Sequence, residues 1–204
     1  MAFNINQFKA QGLVYGGARP SLFQINVAPP VGIPLNPEAF RKFVFTCRAA
    51  ELPESTVSNI EIPYFGRKIK VAGERTYADW SVTVMNDEDF SVRSMFEAWL
   101  NGINTVISNV RVPTASAEQY KTLIDVTQYS KDGDVLREYQ LWGAFPTQLS
   151  GIGLGWDSGN NIEEFTVNFA YDYWIPTVED ASVKTSGKVT TYLAETEVGP
   201  QSVL

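Results

Sequence analysis

Four clusters in this chain carry residue types that chemistry uses. Gly66 and Gly73 bracket Arg67, Lys68 and Lys70, a glycine-and-base pattern of the kind that cradles phosphate. A phosphate loop ends in Gly-Lys-Ser/Thr and opens a helix, and this run does neither. Gly151, Gly153 and Gly155 alternate within an expected strand, not at a strand-to-helix junction, so they do not form a dinucleotide fingerprint. Their spacing leaves one strand face bare, open to close approach by another backbone or side chain. Glu163 and Glu164 are adjacent carboxylates, but neighbours on a strand point to opposite faces and cannot easily share one substrate. Asp87-Glu88-Asp89 has the charge for a cation. A helix start explains it more simply, with Asn86 or Asp87 as cap and Glu88 and Asp89 in the first turn.

The remaining inventory is as spare. The chain has no histidine, which removes the usual catalytic triads and the commonest metal ligand. Cys47 is the only cysteine, so no internal disulfide or thiolate metal cluster is expected. Its surroundings, Phe43-Val44-Phe45-Thr46, read as strand interior and predict a buried, inert thiol. These residues predict no enzyme, no cofactor and no metal.

The 204 residues suit one domain with a substantial core. Hydrophobic residues make up 44% and charged residues 19%, a lightly charged surface of the sort that neighbours cover. No apolar run approaches the roughly 20 residues of a membrane span, and the first residues lack a signal-peptide pattern, so no membrane anchor is expected. The net charge of −7 is uneven: residues 1–120 hold 11 basic and 11 acidic side chains, and residues 121–204 hold 5 and 12. A specific DNA binder would show a basic face instead.

Residues 1–42 read as an irregular arm broken by glycine and proline, with a strand at 23–27. A strand follows at 43–48, then a long connection at 49–66 bearing Pro53 and Pro63. Strands at 67–72 and 78–85 flank a turn at Gly73, and Trp80, Val82 and Val84 share one face. The next element is a helix with Val92, Phe96, Trp99 and Ile103 on one side, stopped at Gly102. The C-terminal half reads as a meander: strands at 123–129 and 135–145, a break at Pro146, a strand at 147–156, and one long strand at 162–173. In that last strand Phe165, Val167, Phe169, Tyr171 and Tyr173 face one way. Trp80, Phe96, Trp99, Phe165 and Phe169 are the expected core. Residues 177–204 are polar, with an extra hairpin or docked arm at 182–193 as one reading and a flexible tail as the other.

The run from Tyr64 to Tyr77, with Asp79-Trp80, Asn86-Asp87, Arg93, Phe96 and Trp99, resembles the central block of the tail tube proteins of contractile-tailed bacteriophages. The likeness resumes at Phe145-Pro146-Thr147, Leu154 to Asp157 and Ile162 to Trp174, in the family's order and spacing. The resemblance implies a mainly β fold, two packed antiparallel sheets closing toward a barrel beside one main helix. It makes residues 1–176 the tube domain and 177–204 an extension beyond the family's usual end. It implies six-membered rings stacked as the inner tube of a contractile tail, assembled in the host bacterial cytoplasm and carried in the virion. The implied partners are further copies of the chain, the sheath protein, a baseplate tube initiator, a tape-measure protein and a tail terminator. Duplex DNA would pass through the bore without specific binding.

On that reading the 49–66 connection meets neighbouring subunits, with Pro53, Glu54, Ser55, Thr56, Val57, Asn59 and Ile60 as contact candidates. Glu164 and Asp172, on the polar side of the longest strand, are candidates for the lumen. One alternative is the same tube in a capsid-less contractile injection particle. Another is a carbohydrate-binding β-sandwich, suggested by the five tryptophans and nine tyrosines.

Overall fold

The computed structural model describes residues 5, 8–12, 17–109 and 116–177. The expected C-terminal extension and its 182–193 hairpin lie outside the described residues, as does most of the first 16. Nine strands and three α-helices are described, with a π-helical turn at Phe8–Gly12. They are β1 (Phe23–Val27), α1 (Pro37–Thr46), β2 (Cys47–Ala50), β3 (Thr56–Tyr64), β4 (Arg67–Thr76), β5 (Trp80–Met85), α2 (Ser91–Ile103), α3 (Ala117–Tyr120), β6 (Thr122–Tyr129), β7 (Val135–Leu149), β8 (Glu164–Ala170) and β9 (Tyr173–Thr177).

All pairings are antiparallel. The main sheet runs β1-β6-β7-β8-β5-β2, and β9 also pairs with β7. β7 belongs to two sheets. Its first part pairs with β6 and β9, and its last residues, Phe145 to Leu149, pair with β8. The change of partner comes at Gly143, whose φ of +67° is a left-handed conformation that a side chain resists. A Cβ there would also lie 2.8 Å from the Asp172 Cγ. Asp172 donates its N–H to the Trp142 carbonyl at 2.9 Å, which fixes this corner. Gly143→Ala should therefore lower stability by about 1–3 kcal/mol in urea unfolding. A change within error would show that the corner adjusts freely.

The two sheets bury their inner faces in one core. Ile25 and Val27 of β1, Ile124 and Val126 of β6, and Leu141 of β7 meet Phe165, Val167 and Phe169 of β8 and Trp80, Val82 and Val84 of β5. α2 fills the space between them. Its Phe96 and Trp99 rings lie 5.8 and 6.4 Å from that of Phe169. Trp80, Phe96, Trp99, Phe165 and Phe169 are all buried. The fold is mainly β with one main helix, and it is curved rather than closed: β1 and β2 stand at the two ends of the main sheet.

Several elements differ from the sequence expectation. The strand expected at 43–48 is the end of α1, and only Cys47–Ala50 is extended. Asn36 caps this helix, accepting the Glu38 N–H at 3.0 Å, and Pro37 sits where a missing N–H costs nothing. Alternation would put Phe43 and Phe45 on one side; helical spacing instead buries Phe43 with Phe40 and leaves Phe45 exposed. The strand expected at 23–27 is β1, whereas the rest of the arm expected over 1–42 also holds the start of α1. Gly73 continues β4, where it and Glu74 together oppose Ser58 of β3 in a bulge, instead of making a turn, and Gly102 lies inside α2, packed against Ile33. Pro146 does not break β7, because the ladder slips by one residue there and absorbs it. The 147–156 strand stops at Leu149, where the Ser150 hydroxyl accepts the Thr166 N–H. The long strand at 162–173 divides into β8 and β9 at the Asp172 corner, so Tyr173 leaves the core side and is exposed.

Candidate assembly surface

The chemistry-bearing clusters of the sequence resolve into structural roles. Lys42 on α1 bridges Asp87 and Asp89, reaching Asp89 at 2.7 Å. That bond, with the Ser91 N–H behind it, holds the Asp89 carboxyl down at about 2. The acidic run precedes α2 and does not cap it as expected. Asn86 turns inward to donate to Glu163 at 3.0 Å, and Phe90 takes the cap position at a φ of +52°. Among the described residues no group of three or more acidic or cysteine side chains is placed to hold a metal ion. None of their helices is long and apolar enough to cross a membrane.

Burial pushes the Cys47 thiol up to about 12. The thiolate is the reactive form, so at pH 8 the folded chain should react with a thiol reagent at least about tenfold more slowly than the urea-unfolded chain. Equal rates would place Cys47 at the surface.

The long connection expected at 49–66 is mostly strand. β3 and β4 form a separate two-stranded ribbon turning at Phe65 and Gly66. Cross-strand pairs share a face, so Ile60 with Val71, Ile62 with Ile69 and Tyr64 with Arg67 form one side. Asn59 with Ala72, Glu61 with Lys70 and Pro63 with Lys68 form the other. One face is apolar and the other is charged, yet every residue of β3 is exposed: Ile60 is 55% accessible and Phe65 92%. A two-stranded hairpin is marginal in water on its own. The ribbon presents an apolar face that the described residues leave uncovered.

The seven expected contact residues divide along this element. Pro53 is buried in its own chain and cannot itself be a contact. The Glu54 carbonyl accepts from Trp174 Nε1 at 3.1 Å and Tyr171 Oη at 3.3 Å, which ties down the root of the ribbon. Ser55 is exposed beside that root, and Thr56, Val57, Asn59 and Ile60 lie exposed on β3. The signal for a strand was in the sequence as the alternation Ile60, Ile62, Tyr64 answered by Ile69 and Val71. Pro63 obscured it, although proline is tolerated on such an edge.

The expected lumen residues do not share one strand. Glu164 begins β8 and is paired with Arg48. Its neighbours on that face are polar: Ser81 donates to Asn168 at 2.7 Å, and Asn168 donates to Gln148 at 3.0 Å. Asp172 lies at the β7 corner, where Lys121 bonds both carboxylate oxygens at 2.7 and 2.8 Å. Four of the acidic residues counted after position 120 fall beyond Thr177, outside the described residues. The Leu154 and Trp156 side chains, on the glycine-bearing loop after β7, are almost fully exposed.

The curved sheet has two end strands, and the outlying amphipathic ribbon has an apolar face that the described residues leave uncovered. The profile of the family described as phage tail tube protein matches residues 18–177, and the chain belongs to that family. It is 37% identical over 158 residues to tail tube protein gp19 of Enterobacteria phage T4, covering 77% of this chain and 90% of that protein. The gp19 of Enterobacteria phage T6 matches to the same extent. Among solved structures, a chain of the anti-feeding prophage baseplate superposes with a TM-score of 0.58 at 13% identity, covering 78% of this chain and 95% of that one. A chain from the sheath/tube terminator of the PVC extracellular contractile injection system gives 0.55 at 17% identity, covering 81% and 99%. At those identities the likeness is one of fold.

Proposed function

We propose that this chain is the repeating unit of the inner tube of a contractile phage tail. Copies close into six-membered rings, the rings stack, and the hollow stack conducts duplex DNA into the host. The observation that carries this reading is the β3–β4 ribbon, whose apolar face has no cover among the described residues. The end strands β1 and β2 add to it, because neighbours in a ring can continue each other's sheets and remove the edges.

The role is structural, with no turnover of substrate, and residues 1–176 act as the tube domain. The tube belongs to the virion and assembles in the host cytoplasm. It starts on a baseplate initiator, surrounds a tape-measure protein, ends at a terminator and lies within a sheath. We assign the polar face carrying Glu164, with Asp172 at its corner, to the bore. Because Arg48 and Lys121 neutralise those two carboxylates, that lining is polar and offers DNA no cationic foothold.

Purified protein at high concentration, with a baseplate initiator present, should scatter light and show rings and tubes by negative-stain microscopy. A persistent monomer under those conditions would count against the whole reading. The same tube in a capsid-less injection particle is the second reading, and the sequence relatives favour the phage. Capsid, portal and terminase genes beside this one would settle for the phage.

A further inference from the structure

We propose that the β3–β4 ribbon also binds the surface of an anionic phospholipid bilayer. The inference goes beyond the assembly reading. A free subunit presents the same surface, and where copies stack, the ribbons of one end ring have no next copy to cover them. The contact is peripheral. A two-stranded ribbon leaves its outer N–H and C=O groups unpaired, which the hydrocarbon interior does not tolerate, so the ribbon lies at headgroup depth and does not span.

The side chains of the ribbon are those that such a surface takes. Ile60, Ile62, Ile69 and Val71 make one exposed apolar face. A contiguous exposed patch of this kind marks a protein contact or a membrane contact. Its far end carries an aromatic pair: the Tyr64 and Phe65 rings meet edge-on at 4.7 Å, and Phe65 is 92% exposed. Aromatic side chains favour the boundary between headgroups and hydrocarbon. Phe65 is displayed there at φ +42°, a left-handed conformation that bulky residues avoid, and such strain collects at functional surfaces.

Charge complementarity points to an anionic bilayer. Residues 56–76 carry four basic side chains, Arg67, Lys68, Lys70 and Arg75, against two acidic ones, Glu61 and Glu74, in a chain whose net charge is −7. Arg67, Lys68 and Lys70 follow the tip directly, and both lysine side chains are largely exposed. β3, with nine residues, sets the tip about 30 Å along the ribbon from its root, several screening lengths at physiological salt. Repulsion between the bilayer and the acidic remainder of the chain is therefore weak at the tip. A nucleic acid would meet the bases and leave the isoleucine face uncovered, whereas an anionic bilayer takes both.

Flotation of the whole chain with vesicles tests this, at protein concentrations below those that scatter light. Phosphatidylcholine vesicles with about 30% phosphatidylglycerol should bind at least about tenfold more protein than phosphatidylcholine alone, and about 0.5 M salt should remove the difference. Lys68→Gln with Lys70→Gln should lower binding at least about tenfold, and Phe65→Ser about fivefold. Glu61 bonds Lys68 at 2.6 Å and lies 4.0 Å from Lys70. Glu61→Gln should therefore raise binding about fivefold, a gain that a misfolded variant does not give. Equal binding to both vesicles, binding to neither, or binding unchanged by Phe65→Ser would overturn the proposal. Capture of duplex DNA without flotation at the same salt would overturn it too. A chain that floats yet never forms tubes would overturn the assembly reading alone.

Discussion

Trp99→Ala should cost about 3–5 kcal/mol of folding stability, a large part of the roughly 5–15 kcal/mol that holds a domain together. The indole is completely buried. It stacks on Phe96 at 6.3 Å and 8°, meets Phe169 edge-on, and lies 6.2 Å from Phe40 of α1. It therefore joins both longer helices to the sheet, and truncation leaves a cavity that none of the three can fill alone. Its Nε1 also donates to the Tyr120 carbonyl at 3.1 Å, a bond that alanine removes. Trp156→Ala, at a fully exposed indole, should change stability by less than about 0.5 kcal/mol. Urea titrations of both variants check the pair. A Trp99→Ala loss below about 1 kcal/mol would mean that α2 does not anchor this core.

The core was legible because burial and periodicity agree in it. Trp80, Val82 and Val84 alternate on β5, Phe96 and Trp99 keep helical spacing on α2, and each set is buried as its period requires. Short segments were not legible where two periods fit the same letters. Phe43-Val44-Phe45 suits a strand, and only the Asn36-Pro37 cap shows that a helix has already begun. Corners were hidden for a different reason. Gly143 changes the partner of β7 without ending the strand, and the Asp172 corner sends the chain from β8 to a different neighbour in β9; partner exchange is a tertiary event that no local pattern encodes. The family likeness carried the function, whereas the surface we assign to it was obscured by a proline that an edge ribbon accepts.

Replacing the ribbon from Val57 to Arg75 by a short glycine-serine turn should abolish stacking while changing subunit stability by less than about 1 kcal/mol. The reason is the separation of roles seen in the structure. The core cluster contains no residue of β3 or β4, and the ribbon forms a sheet of its own. The root is held independently by the Trp174 bond to the Glu54 carbonyl, so the remaining connection keeps its anchor. What the deletion removes is an uncovered apolar face of Ile60, Ile62, Tyr64, Ile69 and Val71. At about 25 cal/mol per Å² of apolar surface, that face is a large source of free energy for association and contributes almost nothing to the isolated fold. The end strands of the main sheet are untouched, so lateral association survives. Sedimentation should find isolated rings where the intact chain gives tubes. Tubes of normal length at the normal concentration would show that the rings stack through another surface, and a subunit that no longer folds would show that the ribbon belongs to the core after all.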